Sequence, residues 1–509
     1  MPNSNKDFRL TKIIATLGPA SEALETIVQL IEAGVSIFRI NFSHGTFEEY
    51  ERLLNTVRRA SKQTGLPIAV LGDLSGPKIR VGEVVANGIY LEDDKLVIFK
   101  KQPVVAGSPT TGEADPVVFS TNYPRFIEEV KPGQRVLLDD GNVHLQCIEQ
   151  GGQDEHQALI CKVVHGGLIT SNKGINLPDT DLSVPALTSR DYQCADFAVG
   201  KGFDFLALSF VRSADDVRQL KDHLRAHYAK EAKNDTLTSN KFIPVISKIE
   251  KPQAMGDIEA IVRETDGIMV ARGDLGVEMD LAEVPVLQKR IVRLCHQFGK
   301  PVIVATQMLQ SMINSPTPTR AEVSDVANAI FDGVDAVMLS GETAVGKWPV
   351  QAVKIMSRIE QLTNNHVQER ITELKSTGEL RDSKNSTAAL AQGVNVIMRS
   401  IQAKLVAVWS ATGRGPIHLS QNRLPRPILA FSENPEALRR MTLMYGLKPV
   451  YMPKPASTAE FIAQVDRQVQ EKGWAGKGDP IIIVAGEPIG QEGRTNTVTI
   501  HYIGDASAM

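Results

Sequence analysis

The sequence is poor in cysteine and has no CxxC pair. Cys147, Cys161, Cys194 and Cys295 are its only four, far apart and without CxxC spacing. That scarcity argues against a disulfide framework and a zinc site, and it suits a reducing compartment. No apolar run approaches the length needed to cross a bilayer. Charge of one sign is not in excess either: 56 basic and 59 acidic residues leave a formal net charge of −3, which gives no sign of a nucleic-acid partner. Residues 1–7 are polar and lack the apolar core of a secretory signal. Low-complexity segments and tight repeats are absent. The expectation is a soluble, cytoplasmic protein with neither nucleic acid nor membrane as a partner.

What is present is a rhythm. At 509 residues the chain is too long for one compact domain. Strands are predicted at 12–16, 36–40 and 67–73, with a helix over 22–33 ended by Gly34, and a second helix opened by the capping-box pair Thr46 and Glu49. From residue 76 to about 171 the rhythm changes to short alternating runs such as 96–99 and 135–138, separated by the turn pairs Pro132-Gly133, Asp140-Gly141 and Gly151-Gly152. That pattern reads as a small inserted β domain. Strand–helix alternation then resumes, with strands at 205–209, 243–247, 267–270, 302–305 and 336–339 and a polar loop at 230–240. Three strands before the insertion and five after it make eight, so the α/β fold expected is a (β/α)₈ TIM barrel rather than a doubly wound sheet. Beyond about 347 a helix at 387–402, strands at 405–408, 427–430 and 480–484, a turn at 410–415 and a helix at 435–444 indicate a smaller α/β domain. The expected division is 1–74 and 172–346 for the barrel, 75–171 for the insertion and 347–509 for the C-terminal domain.

In such a barrel the active site lies at the carboxyl ends of the strands. Polar groups recur at six of the eight ends: Arg39, Asn41 and Ser43; Asp73; Lys248 and Glu250; Asp274; Thr306 and Gln307; Ser340 and Glu342. Period two puts Lys248 and Glu250 on the face of Ile246, aimed the same way. In Arg272-Gly273-Asp274-Leu275-Gly276 the glycines are expected to bend the backbone so that its amides face an anion. Glu250 and Asp274 suit Mg²⁺, which takes one or two protein carboxylates and fills its shell with substrate oxygens and water. Arg39, Lys248 and Arg80 supply the fixed positive charge that a phosphorylated substrate needs. There is no GxxxxGK[ST] loop and no activated serine or cysteine signature, which fits phosphoryl transfer by positioning and electrostatics.

The segments 40–45, Gly76-Pro77-Lys78-Ile79-Arg80, Ile246-Ser247-Lys248-Ile249-Glu250, 269–276, Ala305-Thr306-Gln307-Met308-Leu309 and 339–343 resemble those of the pyruvate kinase family, in the family's order and over essentially the whole chain. The resemblance implies transfer of a phosphoryl group from phosphoenolpyruvate to ADP, giving ATP and pyruvate. By that resemblance Glu250 and Asp274 would hold Mg²⁺, with Mn²⁺ as the alternative, and Lys248 and Arg39 would meet the transferring phosphoryl. Thr306 would bind the substrate carboxylate and serve the protonation of the enolate carbon, and the amides of Gly273 and Asp274 would hold the same carboxylate. Asn41, His44 and Arg80 would lie on the nucleotide side, and the insertion, a small β-barrel, would act as a lid. A metabolite sensor without catalysis is disfavoured because Lys248, Glu250, Asp274 and Thr306 are all retained. A lyase or aldolase leaves the lid and the Arg39 and Arg80 cations without a role.

The chain departs from the family at one pocket. Many members read Asp-Thr-Lys-Gly-Pro-Glu at the third strand end, where K⁺ is bound with the Asn and Ser of the second. Here Asn41 and Ser43 stand beside Asp73-Leu74-Ser75-Gly76-Pro77-Lys78. A unit charge about 4 Å away is worth roughly 4 kcal/mol at an effective dielectric near 20, so an ammonium at Lys78 is expected to replace K⁺ and remove the requirement for it. Arg190 stands where many members have Lys, near the nucleotide. In the C-terminal domain Ser410, Thr412, Gly413 and Arg414 resemble the effector loop of regulated members, which implies a phosphorylated metabolite there, a sugar phosphate or a nucleotide monophosphate. Thr319 and Glu322 form another capping box, on a helix that the resemblance places at a subunit contact of a homotetramer.

Overall fold

The computed structural model describes residues 8–107, 116–151, 158–232, 242–370, 386–489 and 495–505. Eight parallel strands close into a barrel: β1 Lys12–Thr16, β2 Val35–Asn41, β3 Ala69–Asp73, β4 Phe205–Leu208, β5 Val245–Ile249, β6 Gly267–Ala271, β7 Val302–Ala305 and β8 Ala336–Leu339, which bonds back to β1. The predicted bounds of β1, β7 and β8 coincide with these. β5 starts later than predicted and runs further, because Pro244 has no N–H to give the ladder. Alternation divides each strand. Ile14, Ile37, Leu71, Ala207, Ile246, Met269, Ile303 and Met338 fill the barrel. Their neighbours Ile13, Phe38, Val70, Leu206 and Val245 pack outward in the layer shared with the helices. A residue two positions beyond an interior one therefore points into the barrel mouth. Arg39 follows Ile37 in this way, Asp73 follows Leu71, Ser209 follows Ala207, and Lys248 follows Ile246.

The helices start where the sequence offers caps. Thr46 with Glu49, and Thr319 with Glu322, form the expected capping boxes, and Thr188 with Asp191 forms a third. At the opposite barrel end Asp204, Asp266 and Asp335 directly precede β4, β6 and β8. Each accepts a backbone N–H from another barrel segment: Val70 at 2.8 Å, Val245 at 2.9 Å and Val302 at 2.9 Å, respectively. The polar stretch expected as a loop from residue 230 is helical as far as Ala232, and 233–241 lie outside the described residues.

The insertion between β3 and β4 is a mixed six-stranded half-barrel in the order Ile175–Asn176, Arg135–Leu138, Val143–Gly151, Ala158–His165, Leu96–Lys100, Val117–Phe119, with a two-stranded ribbon beside it. It has its own core around Phe99, Phe119 and Phe126. Its last strand, Ile175–Asn176, lies past the expected boundary at 171 because it pairs back to Arg135–Leu138. The C-terminal sheet runs Leu447–Tyr451, Ile428–Ser432, Val406–Trp409, Pro480–Ala485, Thr497–Tyr502, parallel except for the last strand. Both edge strands escaped the sequence reading, as did the helix Thr458–Glu471. Pro449 disguises one edge strand and is tolerated there because an edge has unpaired positions. The expected turn at 410–415 already contains a helix start at Arg414, and the helix expected over 435–444 ends at Met441. The C-terminal domain closes the bottom of the barrel, where Leu443 joins the interior core. Among the described residues no helix is long and apolar enough to cross a membrane.

Candidate active site

Six side chains from the ends of five strands form one connected network of charge and hydroxyl at the barrel mouth. Thr16 Oγ1, at the end of β1, accepts from Arg39 at 3.2 Å. Arg39 holds Asp73 Oδ2 through Nε at 2.7 Å and a terminal nitrogen at 2.6 Å. Asp73 Oδ1 lies 3.3 Å from Lys248 Nζ, which is also 2.8 Å from Glu250 Oε1 and donates to Ser209 Oγ at 2.9 Å. The backbone N–H of Phe210 donates to Glu250 Oε2 at 2.8 Å. Asp73 is 1% exposed, and Lys248 9%.

Burial and pairing compete at each of these groups. Burial alone would lower the Lys248 pKa, but Asp73 and Glu250 outweigh it and raise it, so the ammonium stays charged. Burial would raise Asp73, yet Lys248 and Arg39 hold it below the usual carboxylate range. Glu250 goes the other way: burial and the charge of Asp274 raise it in spite of Lys248. The site therefore keeps one firmly ionised carboxylate and one whose charge is disfavoured by burial and by a like charge.

A second group forms where β6 and β7 end. The Gly273 N–H donates to Thr306 Oγ1 at 2.6 Å, and that hydroxyl donates to the Ala305 carbonyl at 2.6 Å. Neither Gly273 nor Gly276 has positive φ, so the bend expected from glycine is absent. The segment is instead the short helix Arg272–Glu278. Glycine at 273 serves close approach: a Cβ there would sit 3.2 Å from Thr306 Oγ1. The backbone strain lies at Thr306 and Gln307, with φ of 70° and 55°. Arg272, which the sequence reading named only as part of the motif, braces this corner through Asp325 at 2.7 Å and the Thr306 carbonyl at 3.2 Å.

Between barrel and insertion lies a cleft of about 310 Å³, lined by His44, Lys78, Arg80, Lys251 and Asp274 among others. Asp274 is exposed to it. The His44 pKa is lowered by burial and then by the charges of Lys78, Arg80 and Arg39, which keeps the ring neutral in a cationic wall. Lys78 is exposed, and among the described residues no carboxylate pairs with it. Ser43 and Arg190 line a neighbouring hollow with Lys78 and Arg80, and Arg190 stacks on Phe47 at 4.0 Å. Asn41 Oδ1 is taken up locally by the N–H of Ser43 at 3.1 Å. Leu74 is 1% exposed and packs in the outer apolar layer, so only its carbonyl, which accepts from Ser209 Oγ at 2.6 Å, faces the mouth. Glu342 stands apart from the cluster, buried and capping the N–H groups of Leu309 and Ser340. The loop with Ser410, Thr412, Gly413 and Arg414 follows the strand Val406–Trp409 of the C-terminal domain; Ser410 Oγ accepts from Gly413 N–H at 3.0 Å.

Ser209 and Thr16 were missed from sequence, although both obey the period-two rule that found Lys248. Among the described residues no cluster of three or more His, Cys, Asp or Glu side chains could hold a metal. Glu250 and Asp274 offer two carboxylates, a donor set that would suit Mg²⁺ better than zinc.

Residues 8–353 match the family model "Pyruvate kinase, barrel domain", and residues 388–501 match "Pyruvate kinase, alpha/beta domain". Curated relatives include pyruvate kinases of Mycobacterium intracellulare (41% identical, 98% of this chain and 99% of that one), Geobacillus stearothermophilus (39%, 98% and 81%) and Corynebacterium glutamicum (38%, 98% and 98%). Barrel, site and relatives together define a phosphotransferase enzyme. The chain belongs to the pyruvate kinase family.

Proposed function

We propose that the chain transfers the phosphoryl group of phosphoenolpyruvate to ADP, giving ATP and pyruvate, as the names of its relatives suggest. The observation that carries this reading is the Arg39–Asp73–Lys248–Glu250 chain, which sets two cations and a carboxylate raised by burial and by Asp274 next to Phe210 and Asp274, which line a cleft rimmed by further cations. Glu250 and Asp274 fit a divalent cation: they repel each other across the site, and Mg²⁺, or Mn²⁺ in its place, would relieve that repulsion. Bound there, the ion would supply charge neutralisation for a phosphorylated substrate.

The chain's own groups supply the rest. Lys248 and Arg39, both fixed by Asp73, hold positive charge where the phosphoryl group passes. The Gly273 amide, which now donates to Thr306, is the donor for the substrate carboxylate, with the Asp274 amide beside it. Once the carboxylate takes that donor, Thr306 Oγ1 is free to serve the proton delivered to the substrate carbon. His44, Arg80 and Asn41 border the nucleotide, and the insertion, residues 75–171 by our division, closes over it and excludes water.

Three finer readings belong with this one. The exposed, unpaired Lys78 supports independence from K⁺, with the charge rather than Leu74 carrying the effect. Ser410, Thr412, Gly413 and Arg414 form a phosphate loop for an activating phosphometabolite in the C-terminal domain, 347–509. A homotetramer would carry that signal to the barrel, 1–74 and 172–346. The test is phosphoenolpyruvate-dependent conversion of ADP to ATP with Mg²⁺ in K⁺-free buffer, repeated with K⁺ added. Equal rates support both the reaction and the Lys78 reading. A rate that needs K⁺ removes the latter, and no rate in either buffer, with or without sugar phosphates, removes the reaction itself.

A further inference from the structure

The inserted domain holds two cysteines that the proposed chemistry does not use. Cys147 and Cys161 stand directly opposite each other in the antiparallel pair formed by Val143–Gly151 and Ala158–His165. Cys147 gives its N–H to the Gln134 carbonyl at 2.9 Å and takes the N–H of Gly133 at 2.7 Å, so both of its backbone bonds run to the far side of its strand. Toward Cys161 the pair is therefore of the non-hydrogen-bonded kind, in which facing Cα atoms lie about 4.5 Å apart and the side chains are closest. That spacing falls within the roughly 4.4–6.8 Å that a disulfide spans. Both side chains point into the same core, with exposures of 1% and 0%. Directly after Cys147 the register slips, and the ladder is locally disrupted there.

We propose that Cys147 and Cys161 are a modification site: a reversible cross-strand disulfide of the inserted domain, made by a peroxide. A hydrogen bond shared between the two sulfurs lowers the Cys147 pKa and raises that of Cys161, and Cys147 stands next to the register slip, so Cys147 is assigned as the attacking thiolate. Its sulfur attacks one peroxide oxygen; the S–O bond forms, the O–O bond breaks, and hydroxide leaves, giving a sulfenic acid. The Cys161 sulfur then attacks that sulfenic sulfur, forming S–S and releasing water as its proton neutralises the leaving hydroxide. Overall two thiols are oxidised and one peroxide is reduced to two waters. Cys194 and Cys295 serve as controls in the same molecule: each is buried in the barrel domain, and burial raises its pKa.

The test exposes the full chain to hydrogen peroxide, alkylates it with iodoacetamide under denaturing, non-reducing conditions, and maps the peptides by mass. The expected result is two fewer alkylated thiols and a single cross-linked peptide pair joining Cys147 to Cys161, which dithiothreitol releases. Cys194 and Cys295 are expected to alkylate in full. In Cys161→Ser the cross-link is lost and a dimedone adduct appears at Cys147. Full alkylation of Cys147 and Cys161 after peroxide, or cross-links to Cys194 or Cys295, would overturn the proposal. The unmutated chain alone decides it, so a variant that fails to fold does not spare the idea.

Discussion

The two ends of the barrel are both ringed with buried charge, and only one of them is a candidate for chemistry. At the amino end Asp204 accepts Val70 N–H and is clasped by Arg58 at 2.8 Å and Arg439 at 2.7 Å. Asp335 accepts Val302 N–H and Arg423 at 2.9 Å, and Lys12 Nζ is spent on the carbonyls of Arg9 and Leu447, each at 2.7 Å. These contacts tie strand starts to a neighbouring strand, to the helix Phe47–Thr64, to the segment before β1 or to the C-terminal domain. At the carboxyl end the same residue types stand beside a cleft, and their balance is incomplete: Glu250 is pushed upward by burial and by Asp274, while Lys78 is exposed without a carboxylate partner among the described residues. Buried charge is thus no mark of function by itself. Charge that is left partly unbalanced at a cleft is.

Substituting one residue at each end separates the two cases. Lys248→Gln removes the cation shared by Asp73 and Glu250, and the rate of phosphoryl transfer by the folded enzyme is expected to fall on the order of 10³-fold, as for loss of one preorganised electrostatic contact. Steady-state ATP formation measures it, and a loss below tenfold would put Lys248 in the structural class. Asp204→Ala is the counterpart. It leaves Arg58 and Arg439 without their carboxylate, at a cost of about 3 kcal/mol of stability. Thermal unfolding should shift down while the rate per folded molecule stays within about twofold, and a selective loss of rate would break the contrast between the ends.

The sequence was most legible where one physical rule acts alone. Alternation carried Arg39, Asp73 and Lys248 to the mouth, and the same rule reaches Thr16 and Ser209, which went unread only because a hydroxyl looks unremarkable beside a lysine. The Asp that precedes β4, β6 and β8 was equally visible as Phe-Asp-Phe, Thr-Asp-Gly and Val-Asp-Ala, but its partner is a backbone N–H in another segment, which periodicity does not reveal. The glycines of 273 and 276 were assigned a bend because composition shows that glycine is needed without showing why. Here the reason at Gly273 is the nearness of Thr306. Edge strands of the C-terminal sheet stayed hidden since one neighbour, not two, shapes their composition.

Glu360 makes the amino end sensitive to pH. Burial raises its carboxyl to about 7, while Oε1 accepts the N–H groups of Leu10 at 3.0 Å and Thr11 at 3.2 Å. A folded pKa above the unfolded one means that the folded state holds the extra proton between about pH 4.5 and 7, so its contribution to stability declines as pH rises through that window and is level above it. Glu360→Gln keeps the accepting oxygen and cannot ionise. Its melting temperature relative to the parent chain should therefore rise between pH 5 and 8, by the equivalent of about 2–3 kcal/mol. A constant difference across that range would mean that Glu360 ionises as freely as an exposed carboxyl.

The smallest expected effect concerns the departure at the third strand end. Leu74 and Lys78 differ from the family together, yet the structure separates them: one side chain sits in the apolar layer outside the barrel, the other in the cleft. Leu74→Thr therefore buries a hydroxyl among apolar side chains and is expected to cost about 1–2 kcal/mol of stability with no change in the response to K⁺. Lys78→Glu restores the acidic side chain that many members carry and should make the rate depend on K⁺, since an added carboxylate needs a cation beside it. Rates with and without K⁺ for both variants give the answer. If Leu74→Thr alone creates a K⁺ requirement, the outer layer reaches the pocket after all, and the argument from charge at Lys78 fails.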